Sequence, residues 1–320
     1  MIVANTPSTA GPMYRHALPQ LGEDLFLTDA GMETDIIFNR GIAIREFAAH
    51  TLLPNPEGFN ALETYFEGFL ALARQHDAGF ILDAPTWKAH RHWADDLGET
   101  TEDLQTANEA AVALIAQLRD KAANRKPVVL NAQIGPRGDA YAPEDMIEAE
   151  AARDYFAEQI GWLARTPLDM VTGMTFTQAG EAEGFVLAAG DAAMPSVISF
   201  TLETDGTLPS GQSLAEAIAQ VDANTNGGPA YYMINCAHPD HFERQVRDGE
   251  WRRRIRGVRA NASRRSHAEL DEAEDLDDGN PVELARQYRG LVEAMPWLNI
   301  FGACCGGDLR HVTAIAKELA

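Results

Sequence analysis

Short apolar segments alternate with longer amphipathic segments along most of the chain, and the alternation is repeated eight times. The short segments have the length and aliphatic content of buried strands, and the longer ones have apolar residues at helical spacing. Strands that alternate with helices predict a parallel sheet with right-handed crossovers. The predicted strands cover residues 25–28, 79–83, 127–133, 168–173, 196–201, 230–234, 255–259 and 298–302. The predicted helices cover residues 60–76, 101–124, 143–165, 178–189, 213–223, 238–248, 281–294 and 309–319.

Eight strand–helix units in about 300 residues predict an α/β protein built as a single (β/α)8 barrel of the TIM type. The alternative is an open, doubly wound sheet. No G-x-G-x-x-G or G-x-x-x-x-G-K-[ST] motif is present, so a dinucleotide-binding or P-loop version of that sheet lacks its main support. We expect the barrel domain to cover residues 23–320, after an N-terminal extension at 1–22. An acidic segment at 263–279 follows the seventh predicted strand as a long loop.

The charge of the chain limits its partners. Its 320 residues include 26 Lys and Arg against 48 Asp and Glu, which gives a formal net charge of −22. Phosphate binding needs clustered basic residues, so this balance argues against nucleic acid and against an anionic membrane surface. No apolar run approaches the roughly 18 residues of a membrane helix, and the N-terminus lacks a signal-peptide pattern. We therefore expect a cytoplasmic protein that acts on small molecules. The sequence does not indicate an oligomeric state.

All three cysteines follow predicted strands. Cys236 follows the sixth strand, and the adjacent Cys304 and Cys305 follow the eighth. In a barrel these positions lie on the C-terminal face, where active sites are built. Three thiolates there could bind one soft, tetrahedral ion such as zinc and leave a fourth position open. The alternative is three buried, structural thiols. An odd number of cysteines, two of them adjacent, argues against a disulfide framework.

Two histidines, His238 and His241, could serve as further metal ligands, and a third, His267, could touch a substrate or donor. His238 and His241 closely follow Cys236, and we expect them in the first turn of a surface helix. His267 lies in the acidic segment 263–279, where we expect a solvated loop side chain.

Seven segments together resemble the zinc-dependent homocysteine S-methyltransferase family, and the resemblance covers the chain from about residue 25 to its end. They are Asp29-Ala-Gly-Met-Glu-Thr, Ala84-Pro-Thr-Trp-Lys-Ala, Gln133-Ile-Gly-Pro-Arg-Gly, Glu181-Ala-Glu, Ser199-Phe-Thr-Leu, Asn235-Cys236 and Gly302-Ala-Cys-Cys-Gly. The asparagine–cysteine pair and the glycine-flanked double cysteine, in this order and separation, are the most specific of them.

The resemblance implies a catalytic zinc ion bound by Cys236, Cys304 and Cys305. It also implies that Asp29 meets the ammonium group of an amino-acid substrate and that Thr86 lines the substrate pocket. A zinc ion suits a reaction in which a thiol is the nucleophile, because binding to zinc keeps the thiol in its thiolate form at neutral pH.

Three further positions belong to the expected substrate site. Asn235 precedes a zinc ligand, so we expect it to orient the metal loop. Met174 stands where the family commonly has a glutamate that shares the ammonium group with the aspartate, which a thioether cannot do. Glu33 replaces a common glycine, and we take as a hypothesis that its carboxylate reaches the ammonium group from another direction. These departures leave the thiol substrate less defined than the metal.

The implied reaction is methyl transfer to the thiol of homocysteine, which gives methionine. No cobalamin- or folate-binding segment accompanies the barrel in this sequence, so the expected donor is a small sulfonium, S-methylmethionine or S-adenosylmethionine. One alternative is the same chemistry on a different thiol or selenol, or with a betaine-type donor. Another is a zinc-binding homologue without catalytic activity.

Overall fold

The structure is a computed structural model that describes residues 11–140, 146–273 and 275–319. Its strands are β1 (Phe26–Leu27), β2 (Gly79–Ala84), β3 (Val128–Ile134), β4 (Met170–Phe176), β5 (Ser196–Phe200), β6 (Tyr232–Asn235), β7 (Ile255–Ala260) and β8 (Ile300–Ala303). All neighbouring pairs are parallel, and the sheet closes because β8 pairs with both β7 and β1. The predicted (β/α)8 barrel is confirmed, and this closure excludes an open sheet.

The helices around the barrel are α1 (Pro56–Gln75), α2 (Thr101–Lys121), α3 (Ala149–Leu163), α4 (Ala179–Asp191), α5 (Leu214–Thr225), α6 (Pro239–Phe242), α7 (Pro281–Ala294) and α8 (Leu309–Leu319). Shorter helices cover Met32–Thr34, Ala94–Leu97 and His267–Asp271, and single helical turns cover Pro19–Leu21, Asp35–Asn39, Arg45–Phe47, Ala49–Leu52, Arg91–Trp93, Gln245–Arg247 and Glu250–Arg254. None of the helices in the described part of the chain has the length and apolarity of a membrane-spanning segment.

Most helix boundaries follow their capping residues. Helix α1 begins before its predicted start at residue 60, because Asn55 accepts from the Glu57 N–H and Pro56 occupies the first turn. The predicted start of α3, at residues 143–145, lies outside the described residues. Residues 146–148 are also predicted to be helical, but they are not, and the helix begins at Ala149. The predicted helix at 238–248 is wrong in length. Buried apolar side chains there are limited to Pro239, Phe242 and Val246, too few to hold a longer amphipathic helix.

Strand β4 continues beyond its predicted end at residue 173. A glycine usually weakens a strand, but Gly173 is needed for packing, because a Cβ there would lie 2.9 Å from the Phe176 ring. The strand runs to Phe176, so Met174 and Thr175 lie near its end. Thr175 has a left-handed backbone (φ 66°) beside an irregularity in the pairing of β4 with β5.

The described part of the N-terminal extension packs on the bottom of the barrel. Leu18 joins the apolar cluster inside the barrel, and Gln20 is fully buried. The carboxylate of Asp169 accepts from the backbone N–H groups of Met13 and Tyr14, at 2.7 and 2.6 Å. Arg15 donates to the carbonyl oxygens of residues 164, 166 and 168. Residues 11–22 thus close the face of the barrel opposite the cysteines.

Candidate metal centre and substrate pocket

The three cysteine sulfurs lie within 4.8 Å of one another. Strand β6 ends directly before Cys236, and strand β8 ends directly before Cys304. The backbone N–H of Cys236 donates to the Arg259 carbonyl at 3.1 Å, and that of Cys304 donates to the Ala260 carbonyl at 2.8 Å. The backbones of both cysteines are therefore hydrogen-bonded to β7, the strand that lies between β6 and β8. The convergence of the three cysteines that the sequence predicts is confirmed. Among the described residues, they form the only cluster of three or more possible metal ligands.

The expectation that these cysteines form no disulfide is wrong for this structure, because Cys236 and Cys304 are joined by one. The physical reason is the convergence of the two strand ends, which brings their Cα atoms to 5.4 Å, an ordinary separation for a disulfide. Cys305 lies outside this bond and is partly exposed. The same sulfurs suit a soft metal ion when reduced, because thiolates are the ligands such an ion prefers.

Asn235 connects the cysteines to the end of β4. Its Oδ1 accepts from the Thr175 N–H at 3.1 Å and from the Ser199 hydroxyl at 2.6 Å. Its Nδ2 donates to the Thr175 hydroxyl at 2.8 Å and lies 3.9 Å from the Cys304 sulfur. The side chain is fully buried and outside the cavity lining. Asn235 therefore holds the left-handed Thr175 and a candidate ligand in place.

A cavity of about 410 Å³ opens above the cysteines on the C-terminal face. The three cysteines, Glu33 and Met174 line it, whereas Asp29, Thr86 and Asn235 do not. Four aromatic side chains form much of its wall: Phe38, Phe47, Trp87 and Trp93. Among the described residues, the charged groups that line it are Glu33, Lys88, Asp139, Arg259, Asp275 and Asp277. The cavity therefore combines sulfur, carboxylate and aromatic groups.

Asp29 forms an ion pair with Arg259, a residue that no sequence motif indicated. The Arg259 guanidinium, at the end of β7, forms ion pairs with both Asp29 and Asp83. It also lies 3.3 Å from the carbonyl oxygens of Ala30 and Ala303. Burial raises the pKa of Asp29 to about 7, against the opposing effect of Arg259. No donor among the described residues reaches Oδ2 of Asp29.

Glu33 and Met174 face the cavity from different strand ends. Glu33 lies in the short helix after β1 and is partly buried. Burial raises its pKa to about 7, while its own backbone N–H, Arg259 and Lys88 act in the opposite direction. The Met174 side chain is buried, and its carbonyl accepts from the Trp87 indole N–H at 3.1 Å. The cavity thus has a carboxylate at Glu33 and an apolar wall at Met174.

Thr86 is fully buried behind the cavity. Its hydroxyl donates to the Gln133 carbonyl at 2.8 Å, which ties the loop after β2 to β3. This loop carries Trp87 and Lys88, so Thr86 supports two side chains that do line the cavity.

The histidines lie in more buried positions than expected. His267 begins the short helix after β7, is buried, and its Nε2 lies 2.7 Å from the Cys236 carbonyl. The expectation of a solvated loop side chain is wrong, because Ser266 and Glu269 form a capping box that orders this segment. His238 is buried as well and caps α6 by accepting from the Asp240 N–H. Burial lowers the pKa of His238 to about 4. Of these three histidines, only His241, in α6, is partly exposed.

Comparisons with known proteins show which family the chain belongs to. The profile of the homocysteine S-methyltransferase family matches residues 26–319. The chain belongs to the homocysteine S-methyltransferase family. It is 24% identical over 213 residues to homocysteine S-methyltransferase 3 of Arabidopsis thaliana, and this match covers 62% of the chain but only 59% of the plant protein.

Two crystal structures of the homocysteine methyltransferase MmuM from Escherichia coli share the fold. The metallated form has a TM-score of 0.70 at 16% identity, and the oxidized form has a TM-score of 0.74 at 17% identity. Each match covers 94% of this chain and 98% of MmuM.

Proposed function

We propose that this family member transfers a methyl group from a small sulfonium donor, S-methylmethionine or S-adenosylmethionine, to the thiol of homocysteine and so produces methionine. The observation that carries the proposal is the convergence of three cysteine sulfurs within 4.8 Å at a cavity of about 410 Å³. That position, at the C-terminal ends of barrel strands, is where this fold builds its active sites.

Zinc fits the chemistry of this donor set. Cys236, Cys304 and Cys305 would hold the ion in their reduced forms, and three protein ligands leave one position for a substrate sulfur. The chemistry that the ion supplies when bound is to keep the acceptor sulfur in its thiolate form at neutral pH. In the transfer, the donor's S–CH3 bond breaks and its electron pair stays on the donor sulfur, which becomes a neutral thioether. A new bond joins the methyl carbon to the acceptor sulfur, and the thiol proton passes to solvent.

The carboxylates define where an amino-acid acceptor binds. Of the two expected to meet its ammonium group, Glu33 lines the cavity, whereas Asp29 is engaged by Arg259. We therefore assign the direct ammonium contact to Glu33 and a supporting role to Asp29. Met174 and Trp87 contribute apolar surface that excludes water from the acceptor's methylene chain.

Two observations favour a different thiol as the second candidate. Met174 offers no carboxylate, and Asp29 already has a cationic partner in Arg259. An acceptor without an α-ammonium group would need neither a carboxylate at position 174 nor an unpaired carboxylate at Asp29. A selenol in place of the thiol, or a betaine-type donor, belongs to the same chemistry.

The proposed chemistry requires reduced cysteines, because a thiol in a disulfide cannot serve as a thiolate ligand. Cytosolic conditions maintain reduced thiols, so we include a cytoplasmic location in the proposal.

The test is a methyl-transfer assay with reduced, zinc-loaded protein. Homocysteine, selenohomocysteine and 3-mercaptopropionate would each be paired with S-methylmethionine, S-adenosylmethionine and betaine, with methylated products measured by mass spectrometry. The proposal expects the highest kcat/KM for homocysteine with a sulfonium donor. A preference for 3-mercaptopropionate would favour the second candidate. No turnover with any pair would favour a zinc-binding homologue without catalytic activity.

A further inference from the structure

A single lysine lies at the aromatic wall of the cavity. The Lys88 Nζ is 3.8 Å from the centre of the Trp93 ring and 5.9 Å from that of Trp87. It donates to the backbone carbonyl of Glu46 at 2.9 Å. An ammonium group has three donor hydrogens, so this hydrogen bond and the contact with the Trp93 ring leave capacity for one more partner.

Asp139, Glu46, Glu33 and Asp96 lie near enough to act on the charge of Lys88, but its hydrogen bond goes to a backbone carbonyl rather than to one of these carboxylates. The other cation in the cavity lining, Arg259, already has Asp29 and Asp83 as partners. Lys88 is therefore the cavity cation that is placed to bind the anionic group of a ligand. Its partial burial beside Trp87 and Trp93 makes such an ion pair stronger than it would be in open solvent.

The backbone around the lysine is unusual. Glu46 and Phe47 both have left-handed conformations, with φ of 48° and 58°. Such conformations are uncommon for residues other than glycine and are often found at binding sites. Here they accompany the Glu46 carbonyl that holds Lys88 and the Phe47 side chain that lines the cavity.

We propose that Lys88, Trp87 and Trp93 form the donor subsite and that it takes an onium methyl donor carrying a carboxylate. Lys88, held over Trp93, binds the carboxylate, while the face of Trp87 contacts the cationic methyl-bearing centre. This inference rests on the proposed function, which assigns the acceptor's sulfur to the cysteines and its ammonium group to Glu33. The subsite beside Lys88 is then left for the second substrate.

The test compares a donor that has a carboxylate with one that lacks it. S-methylmethionine and the trimethylsulfonium ion would each be assayed with wild type, Lys88→Met and Lys88→Arg, after thermal melting shows that the variants fold. We expect Lys88→Met to raise the KM for S-methylmethionine about 10-fold or more, to leave that for trimethylsulfonium within about 2-fold, and to be partly rescued in Lys88→Arg. Lys121→Met, which changes an exposed lysine on α2, is the matched control. An equal change for both donors, or no change, would overturn the inference.

A binding measurement separates this inference from the proposed function. Titration of the reduced, zinc-loaded protein with S-methylmethionine, without any thiol, should quench the fluorescence of Trp87 and Trp93, and Lys88→Met should weaken this binding by the same factor. If no thiol is methylated but this result holds, the proposed acceptor is wrong and the subsite stands. If wild type does not bind S-methylmethionine, or Lys88→Met binds it equally well, the subsite is wrong whatever the turnover.

Discussion

Arg259 and Asp29 form a buried ion pair at the base of the cavity, and Asp83 binds the same guanidinium. The two carboxylates come from the ends of β1 and β2, and the arginine comes from β7. One cation therefore compensates two buried acidic groups that belong to separate parts of the barrel.

Replacing Arg259 with Met should destabilise the fold strongly, because it leaves two buried carboxylates without their cation. We expect a loss of about 3–5 kcal/mol in the free energy of unfolding, measured by urea titration. Arg253→Met, at an exposed position, should change it by less than about 0.5 kcal/mol. Equal stability of the two variants would show that the ion pairs contribute little.

Glu33 should make both binding and stability depend on pH. Its pKa is raised to about 7 in the folded protein from the ordinary 4.5, so the folded state holds a proton that the unfolded state has lost. The free energy of unfolding should therefore decrease as the pH rises from about 4.5 to 7. Glu33→Gln should reduce this slope, measured by urea titration at several pH values.

The same residue should affect acceptor binding in the opposite direction. An ammonium group pairs with the ionised carboxylate, so the KM for homocysteine should fall as the pH rises through 7. Glu33→Gln should raise this KM about 10-fold or more at pH 8 and remove its pH dependence. An unchanged KM would contradict the proposed ammonium contact.

Much of the site follows from local sequence patterns, but its charge partners do not. The strand–helix repeat and the positions of Cys236 and Cys304 after strands predict the barrel and the convergence of the sulfurs. Arg259 is different, because its partners Asp83 and Asp29 are 176 and 230 residues away in sequence. Its only local sign is an arginine near the end of an apolar strand. Pairings of this kind depend on strand order and register, which periodicity does not specify.

Zinc binding and the Cys236–Cys304 disulfide should exclude each other, because both need the same sulfurs. Protein reduced with a phosphine should retain about one zinc ion per chain, and protein oxidised with diamide should release it, measured with a colorimetric chelator. Cys304→Ser should lose the metal under both conditions and lose methyl transfer, with an unchanged far-UV circular dichroism spectrum. Global unfolding of this variant would instead show that the site is structural.

Leu18 should contribute to stability although it precedes the first strand. Its side chain is buried in the cluster inside the barrel, whereas that of Leu21 is 44% exposed. Leu18→Ala should lower the free energy of unfolding by about 2–4 kcal/mol, and Leu21→Ala by less than about 1 kcal/mol. Neither variant should change zinc content, because the cysteines lie at the opposite end of the barrel. Equal effects would show that the extension is not part of the core.

Asn235 should affect metal affinity by holding the residues around Cys304 in place, without binding the metal itself. It holds Thr175 by two hydrogen bonds and lies 3.9 Å from the Cys304 sulfur. Asn235→Ala removes these contacts, so we expect zinc affinity to fall about 10-fold or more in a chelator competition. Ser199→Ala, which removes one hydrogen bond to Asn235 but leaves those to Thr175, should keep most of the affinity. If both variants bind zinc as tightly as wild type, the cysteine loops hold their geometry without Asn235, and its hydrogen bonds serve only the fold.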